Sequence, residues 1–408
     1  MPREPSTAGR STSRTGRVSG ETRPARFGDY YREIYMRGLG GEQPSIPVDW
    51  GELERRAEEA MAERTASYVY AGAGSGETMR ANREAFRRRR ILPRMLRDVA
   101  DTDLTTPLLG RELAAPLLLA PIGVQTIVHE EGELASARAA ASVGVPFVAS
   151  SAAAHTMEEI AEVGGPRWFQ LYWPNDQELA ASFVSRAEAA GYEAIVVTVD
   201  TFIPGWKPRD LQQAWLPFLE GIGNQYYLAD PVFRAALDKP PEEDLGAALG
   251  HYLSIYVNPS LTWEDLDWLR DETALPILIK GILHPDDARE ARERGVDGVV
   301  VSNHGGRQVD GSIATLDALP AIVEAVGEDL AVLLDSGIRG GADAFKALAL
   351  GADAVLLGRP YIWGLALEGE AGVEAVLRML LAELDLTLAL TGNRTVRGLG
   401  PSSLADAE

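Results

Sequence analysis

The sequence predicts a (β/α)₈ barrel, and three observations support this prediction. Eight short apolar runs each end in small or polar residues, which is the pattern of strands buried on both faces of a parallel sheet. Stretches rich in Ala, Glu and Arg with helical spacing lie between most of these runs, an alternation typical of α/β folds. A doubly wound sheet is the competing architecture, but no G-x-G-x-x-G motif follows the first run. The runs are 117–121, 147–151, 168–172, 195–200, 277–280, 299–303, 332–335 and 355–358.

Helices are predicted before the barrel. Residues 27–110 are expected to form a helical segment that packs on the barrel, with helices at Tyr30–Gly40 and Asp49–Ala66. Asp49 is a suitable N-cap, because a glutamate follows it three residues later. Residues 1–26 contain six arginines among Ser, Thr, Gly and Pro without an apolar stretch. This composition predicts a disordered tail and argues against a secretion signal; a transit-like peptide is the weaker alternative.

One long connection interrupts the barrel, which is predicted to span residues 111–392. It lies between Asp200 and Ile277 and contains several aromatic residues and prolines. Because it follows the fourth strand, it should lie over the carboxyl-terminal face of the barrel. Residues 203–260 of this insertion, with approximate bounds, are therefore a candidate lid. An oligomer contact or a mobile loop is the alternative.

The charge and the cysteine content limit the possible partners. The formal net charge of −21 disfavours a nucleic-acid surface, and it requires any site for an anionic substrate to be locally basic. The chain has no cysteine, which excludes disulfides, a thiol nucleophile and a cysteine-ligated metal. We expect no metal site and a cytoplasmic protein. Residues 375–390 are apolar but carry charged side chains, so they predict a helix and not a membrane span, followed by a C-terminal tail at 393–408.

Residues 299–308, Val-Val-Val-Ser-Asn-His-Gly-Gly-Arg-Gln, are the most informative stretch. They place His304 and Arg307 at the carboxyl end of a strand, where barrel enzymes carry their catalytic groups. A proton-accepting imidazole beside a guanidinium suits the oxidation of a 2-hydroxy acid. A solvated polar loop is the alternative, but neighbouring strands end on Lys280 and Asp335. No side chain accepts a hydride, so a cofactor is implied.

Further polar residues at the strand ends should converge on the same mouth. Glycines and arginines follow the last two strands, where helix N-termini commonly bind a phosphate in such barrels. The strand-end residues are Pro121, Ile122, Gly123, Ser150, Gln170, Tyr172, Thr198, Asp200, Lys280, His304, Arg307, Asp335, Gly337, Arg339, Gly358 and Arg359.

Residues 302–308, Ser-Asn-His-Gly-Gly-Arg-Gln, resemble a signature of the FMN-dependent 2-hydroxy acid oxidising family. Similarity runs from about Phe27 to Gly392. The resemblance implies a TIM barrel that binds FMN, uses a small 2-hydroxy acid and O₂, contacts neither nucleic acid nor membrane, and assembles as a homo-oligomer, a tetramer or larger. Other matching stretches are 28–30, 120–124, 169–172, 208–211, 284–289 and 358–361.

Within this family, the long insertion makes the chain most similar to the lactate 2-monooxygenase branch. This implies that L-lactate and O₂ are converted to acetate, CO₂ and water. One alternative is an oxidase that releases a keto acid and hydrogen peroxide, and another is a dehydrogenase that uses a different electron acceptor. A flavin-binding protein without catalysis is the alternative from a different class.

The resemblance also implies catalytic roles. His304 takes the hydroxyl proton, and Asp200 stabilises the imidazolium and raises the proton affinity of the imidazole. Tyr172 hydrogen-bonds the substrate hydroxyl or keto oxygen. Arg307 and Tyr68 bind the substrate carboxylate.

The implied flavin contacts involve the strand ends. Lys280 lies beside N1 and C2=O of the ring, where a fixed cation stabilises the reduced anion. Asp335 meets the ribityl chain, while Arg339 and Arg359 meet the phosphate. The remaining implied contacts are Pro121, Ile122, Gly123, Ser150, Gln170, Thr198, Ser302, Gly337 and Gly358.

Two positions depart from the family pattern. Lys207 lies in the insertion where close relatives have an arginine, so it keeps the charge for carboxylate binding but loses the bidentate fork. Ala152 stands where some members have a tryptophan, which should leave room beside the substrate side chain.

Overall fold

The computed structural model describes residues 26–407 and confirms the predicted barrel. Eight parallel strands close into a barrel in which β1 pairs with both β2 and β8. The predicted disordered tail, apart from Arg26, lies outside the described residues. The barrel strands are β1 Leu117–Leu119, β2 Phe147–Ser150, β3 Arg167–Leu171, β4 Ile195–Thr198, β5 Ile277–Ile282, β6 Gly298–Val301, β7 Ala331–Leu334 and β8 Ala354–Leu357.

Helices surround the barrel and precede it. In residues 26–407, four helices precede the barrel, one helix packs after each barrel strand, and four more lie in the insertion after the fourth strand. The helices are α1 Tyr30–Leu39, α2 Trp50–Ala60, α3 Glu63–Tyr70, α4 Glu77–Arg88, α5 Gly132–Val143, α6 Met157–Glu162, α7 Gln177–Ala189, α8 Pro208–Gln212, α9 Gln225–Leu228, α10 Pro231–Ala235, α11 Leu245–Ile255, α12 Glu264–Glu272, α13 Pro285–Glu293, α14 Thr315–Val326, α15 Gly341–Ala349 and α16 Arg359–Leu390. In the described chain, no helix combines the length and the apolar character needed to cross a membrane.

The alternation of side chains along the strands divides the core into two layers. Every second residue points into the barrel, and the others face the surrounding helices. Leu118 and Val196 belong to the interior cluster, which also contains Leu108 and Leu113. These last two residues lie on a two-stranded antiparallel hairpin at 106–113. The hairpin therefore covers the end of the barrel opposite to the carboxyl-terminal mouth.

The predicted helix Asp49–Ala66 is wrong as a single element. Asp49 does cap α2, because its carboxylate accepts a hydrogen bond from the Glu52 amide at 2.8 Å. However, Met61 and Ala62 are extended and separate α2 from α3. No proline or glycine marks this break in the sequence. Its effect is to redirect α3, so that α3 buries a face of its own toward the barrel.

The insertion is a folded unit that contains α8 to α11. Tyr226 and Phe233 are fully buried, and the buried Asp230 pairs with Arg186 of α7 at 2.9 Å. Asp230 also caps α10 through the backbone amide of Val232. The insertion is thus anchored on the outside of the barrel, while its first part, around α8, lies over the mouth.

Asp385 connects the N-terminal segment to the last helix. Its carboxylate accepts hydrogen bonds from the Arg26 guanidinium at 2.7 and 3.2 Å, from the Gly28 amide at 2.8 Å and from the Thr102 hydroxyl. Burial alone would raise the pKa of Asp385, but these hydrogen bonds outweigh burial and lower it. The ionised carboxylate therefore stabilises the fold at neutral pH, and this contribution is lost as the pH falls through the lowered pKa.

We expect Asp385→Ala to lower the free energy of unfolding by about 3 kcal/mol, because it leaves a largely buried guanidinium without its partner. Chemical denaturation at pH 7 measures this loss. Arg55→Ala is the matched control, since it removes ion pairs with Glu52 and Glu59 that join exposed side chains and contribute little to stability. Equal losses in the two variants would contradict the role assigned to Asp385.

Candidate active site

A cavity of about 530 Å³ opens at the carboxyl-terminal ends of the barrel strands. Its wall combines strand ends, the end of α3, and the insertion. Four predicted residues do not line it but adjoin residues that do: Gln170, Asp200 and Ser302 are hydrogen-bonded to Ser150, His304 and Lys280, and Thr198 pairs with Lys280 across the strands. The predicted site residues that line it are Tyr68, Pro121, Ile122, Gly123, Ser150, Tyr172, Lys207, Lys280, His304, Arg307, Asp335, Gly337, Arg339, Gly358 and Arg359.

The polar floor of the cavity is the last interior layer of the barrel. Val148, Leu278 and Val300 face the barrel interior. Two residues further along each strand, the side chain points into the same interior. The interior therefore changes from apolar to polar within one step. This spacing places Ser150, Gln170, Thr198, Lys280, Ser302, Asp335 and Gly358 in one layer.

His304 lies in the loop after β6 and has the left-handed backbone conformation, with φ of 56°. Its Nδ1 is 2.8 Å from the Asp200 carboxylate and 3.1 Å from the Thr201 hydroxyl. Its Nε2 is 3.4 Å from the Tyr172 hydroxyl, on the side that faces the cavity. With Asp200 ionised, the proton of a neutral imidazole is on Nδ1. The free Nε2 is then available as a base.

Burial lowers the pKa of His304 below its usual value of 6.5. The Asp200 carboxylate acts in the predicted direction and raises this pKa, but burial, Lys280 and Arg307 together outweigh it. Asp200 thus raises the proton affinity of His304 as expected, while burial decides the direction in which the pKa of His304 finally moves. Burial would raise the pKa of Asp200, yet the cations around it hold that pKa at about 2. We conclude that the resting pair is a neutral imidazole beside a carboxylate.

Lys280 is buried at the centre of the polar layer. Its Nζ donates a hydrogen bond to the Ser302 hydroxyl at 3.0 Å and lies 3.4 Å from the Asp335 carboxylate. Burial lowers the pKa of Lys280, but Asp335 and Asp200 outweigh burial and raise it. The layer therefore holds a permanent positive charge that faces the cavity.

Arg307 is fixed by the C-terminal end of α3. One of its guanidinium nitrogens donates to the backbone carbonyls of Tyr68 and Ala71 at 2.8 and 2.9 Å. The guanidinium lies over the Tyr68 ring, 5.3 Å from its centroid. Helix carbonyls at this end lack partners within the helix, so a cation is favourable there. The predicted carboxylate-binding residues are thus brought together by a helix outside the barrel.

Lys207 reaches the same part of the cavity from the insertion. Burial, followed by repulsion from Arg307, lowers the pKa of Lys207 to about 8, although Asp210 acts in the opposite direction. Burial raises the pKa of Asp210. At neutral pH the ammonium and the guanidinium together exceed the charge of one carboxylate. The region is therefore locally basic in an acidic protein, as the sequence required.

A second basic region lies at the ends of β7 and β8. Burial lowers the pKa of Arg339 to about 10, and burial with the neighbouring Arg307 and Arg339 lowers the pKa of Arg359 to about 9. Within residues 26–407, neither of these two guanidinium groups forms an ion pair with a carboxylate at 4.0 Å or less. Gly358 precedes α16, and a Cβ at this position would lie 4.0 Å from the Cδ1 of Ile122. An anion at this helix N-terminus would relieve the repulsion between the arginines.

Several cavity residues were missed from the sequence. Thr201 bonds both members of the His304–Asp200 pair, and only its position after Asp200 could have suggested it. Trp215 and Tyr252 line the cavity from the insertion. Their aromatic side chains were visible in the sequence, but no spacing rule shows which residues of an irregular insertion point inward.

Residues 57–406 match the model of a family described as FMN-dependent dehydrogenase. The chain is 44% identical over 379 residues to the FMN-dependent alpha-hydroxy acid dehydrogenase qulF of Penicillium citrinum, with 91% of this chain and 94% of that protein covered. It is 44% identical over 369 residues to an L-lactate oxidase of Lysinibacillus sphaericus, with coverage of 90% and 95%. The crystal structure of mandelate oxidase superposes with a TM-score of 0.78 at 38% identity and covers 89% of this chain and 99% of that one.

We expect inorganic phosphate to raise the melting temperature of the ligand-free chain, because an anion bound only by the folded state stabilises it. Arg359→Met should remove most of this increase relative to its own baseline. Arg307→Met is the matched control and should keep it, since Arg307 lies at the other basic region. A thermal melt in increasing phosphate makes the measurement. An equal increase in all three proteins would show that the binding is not at the β7 and β8 ends.

Proposed function

Because this chain belongs to the FMN-dependent dehydrogenase family and is an FMN-dependent 2-hydroxy acid oxidoreductase, we propose that it converts L-lactate and O₂ to acetate, CO₂ and water. The observation that carries this proposal is the position of the insertion. Its first part lines the cavity on the side of His304 and Arg307, and can therefore hold a small keto acid in place after it forms. A keto acid that is held beside the hydrogen peroxide formed at the same site can be oxidised by it to acetate, CO₂ and water, whereas a keto acid that is released leaves as a product together with hydrogen peroxide.

The residues present fit FMN. The Gln170 amide nitrogen and the Thr198 hydroxyl are buried without a hydrogen-bond partner in the described chain, and polar groups of this kind are left for a ligand with matching atoms. Lys280 supplies a buried cation beside them. We propose that these residues, with Ser150 and the backbone from Pro121, hold the ring. The remaining proposed contacts are Ile122, Gly123, Ser302, Asp335, Gly337, Gly358, Arg339 and Arg359, and the two arginines are those nearest the phosphate.

When bound, FMN supplies the acceptor for the hydrogen and electron pair that leave the substrate α-carbon, and returns the electrons to O₂. The side chains of this chain act on the substrate. Arg307, Tyr68 and Lys207 bind its carboxylate, and Tyr172 donates a hydrogen bond to its hydroxyl oxygen. His304 accepts the hydroxyl proton at Nε2.

Asp200 has two roles in this proposal. It keeps the Nδ1 proton of His304 in place, so that Nε2 faces the substrate, and it stabilises the imidazolium once the proton has been taken. Gly281 leaves room for the Asp200 side chain in this position, since a Cβ on residue 281 would lie 2.7 Å from the Cβ of Asp200. The Thr201 hydroxyl donates a hydrogen bond at 3.1 Å to the same carboxylate oxygen that faces His304.

The second candidate is an oxidase that releases the keto acid, acting on a larger 2-hydroxy acid. The residues that line the cavity favour this second candidate. An apolar wall lies opposite the polar layer, next to the small Ala152, and is made by Leu216, Phe218, Tyr252 and Val257. The name of the L-lactate oxidase from Lysinibacillus sphaericus agrees with the release of a keto acid. A dehydrogenase with another electron acceptor is the third outcome of the same assay.

We also propose that the protein is a homo-oligomer, a tetramer or larger. Helix α1 buries none of its residues, and Tyr35, Met36 and Leu39 are 72%, 65% and 81% exposed on it. A group of large apolar side chains on one surface helix is typical of an interface. Light scattering of the FMN-loaded protein determines the assembly.

We expect His304→Ala to keep FMN and to reduce it on the order of 10²–10⁴ times more slowly with substrate under anaerobic conditions, the usual contribution of a positioned base. Stopped-flow absorbance of the bound flavin measures this rate. His284→Ala is the matched control, because His284 caps α13 outside the cavity. In the wild type, kcat/KM should fall as the pH drops through a value below 6.5, where His304 becomes protonated, and should fall again as the pH rises through about 8, where Lys207 loses its charge. Wild-type reduction rates in His304→Ala would contradict the assignment.

With L-lactate, O₂ and catalase, the wild type should yield mainly acetate, because the covered cavity holds reacting partners together. Trp215→Ala should shift the products toward pyruvate and hydrogen peroxide, since it opens the wall beside Tyr68, whose ring centroid lies 6.4 Å from that of Trp215. Chromatography gives the acetate-to-pyruvate ratio. Stoichiometric pyruvate from the wild type would reject the monooxygenase proposal and leave the oxidase as the better one. Absence of reaction with lactate, but reduction of FMN by a longer acid, would favour the larger substrate.

A further inference from the structure

We propose that Asn82, on a helix outside the barrel, is a positioning residue for the catalytic base. Asn82 lies on α4 and is 2% exposed, and it does not line the cavity. It contacts Asn303, which directly precedes His304. This proposal rests on the proposed function of His304 as the base.

The two asparagines form a reciprocal amide pair. The Asn82 amide nitrogen donates to the Asn303 side-chain oxygen at 2.8 Å, and the Asn303 amide nitrogen donates to the Asn82 oxygen, also at 2.8 Å. Both side chains are buried. The loss of either amide would leave its partner unsatisfied in the interior, which is far more costly than the loss of an exposed hydrogen bond.

The pair also makes further hydrogen bonds to the loop that carries His304 and Arg307. The Asn303 side chain accepts from the Gly306 amide at 3.0 Å and donates to the Ile313 carbonyl at 3.1 Å. The Asn82 oxygen accepts from the Thr315 amide at 3.3 Å, where α14 begins. Both ends of the loop are therefore tied to one point on α4.

The Asn82–Asn303 pair lies beside a strained stretch of backbone, which begins at His304. His304 has φ of 56°, and the two glycines after it have φ of 65° and 75°. A non-glycine residue in the left-handed region persists only where its surroundings hold it there. Ser302 and Ser336 hold the loop on the barrel side, through the amides of His304 and Gly305. Asn82 holds it from the opposite side, so that without Asn82 the backbone at His304 can relax and carry Nε2 away from the substrate.

The test compares Asn82→Ala with Asp310→Ala in the FMN-loaded full chain. Asp310 belongs to the same loop and also binds α4, because it accepts hydrogen bonds from the amides of Ser75 and Glu77. It is half-buried and lies beyond Arg307 in the sequence, so it controls for a general loosening of the contact between the loop and α4. Asn82→Asp serves as a second variant that keeps the acceptor oxygen and the side-chain shape if Asn82→Ala does not fold.

In anaerobic stopped flow, Asn82→Ala should reduce FMN about 10²-fold more slowly at saturating substrate, the scale of a misplacement of about 1 Å. The substrate concentration for half-maximal rate should change by less than about threefold, because the interaction acts on the reaction step. FMN content should equal that of the wild type, and Asn82→Asp should be intermediate in rate. A crystal structure of Asn82→Ala should show His304 outside the left-handed region.

A double variant completes the test. Asn82→Ala with Asn303→Ala should lose no more rate than the slower single variant, because two groups that act as one unit are not additive. Wild-type rates in Asn82→Ala, or an equal loss in Asp310→Ala, would overturn the proposal and leave the function of the site intact. If the wild-type flavin were not reduced by any 2-hydroxy acid, the proposed function itself would fail.

Discussion

Closure of eight parallel strands into one barrel forces every second side chain of each strand into a shared interior, and the site depends on this constraint. The interior is apolar from the hairpin at 106–113 up to the level of Val300. One step higher it becomes polar, and Lys280, Ser302 and Asp335 meet there without any loop to arrange them. The chemistry of the floor is therefore fixed by strand register. Only the groups above the floor, such as His304 and Arg307, depend on the conformation of loops.

The cavity is lined by positively charged side chains, although the molecule as a whole is acidic. The chain carries a formal charge of −21, yet the buried Lys280 and the half-buried Arg339 and Arg359 lie around one cavity. Burying cations is unfavourable unless a counter-charge lies close by, and within residues 26–407 only Lys280 of these three has a carboxylate, that of Asp335, within 4.0 Å. The fold thus stores repulsion that an anionic ligand relieves. This supports a role in binding a phosphate and a carboxylate better than it supports a purely structural role for these arginines.

The sequence was sufficient for the barrel and for most of the floor, because strand ends can be recognised where apolar runs meet polar residues. It was not sufficient for groups whose position depends on packing. The break at Met61 and Ala62 has no local signal, and it decides where Tyr68 lies. Asn82 is far from His304 in sequence, and nothing in its own segment indicates the contact. The direction of the His304 pKa could not be predicted either, since it results from burial and three neighbouring charges, of which only the Asp200 carboxylate was considered.

Two segments that lie far apart in the sequence pair in the structure, and this pairing bears on how the protein folds during its synthesis. Residues Arg89–Ile91, which follow the helices that carry Tyr68 and Asn82, pair antiparallel with Leu404–Asp406. Roughly 300 residues separate these two strands, so at synthesis rates of about 5–20 residues per second the first strand waits roughly 15–60 seconds for its partner. During that time the N-terminal helices have no completed barrel on which to pack. Their apolar faces are then open to chaperones or to other nascent chains, and the active-site wall that they provide is completed only after the last barrel strand has been made.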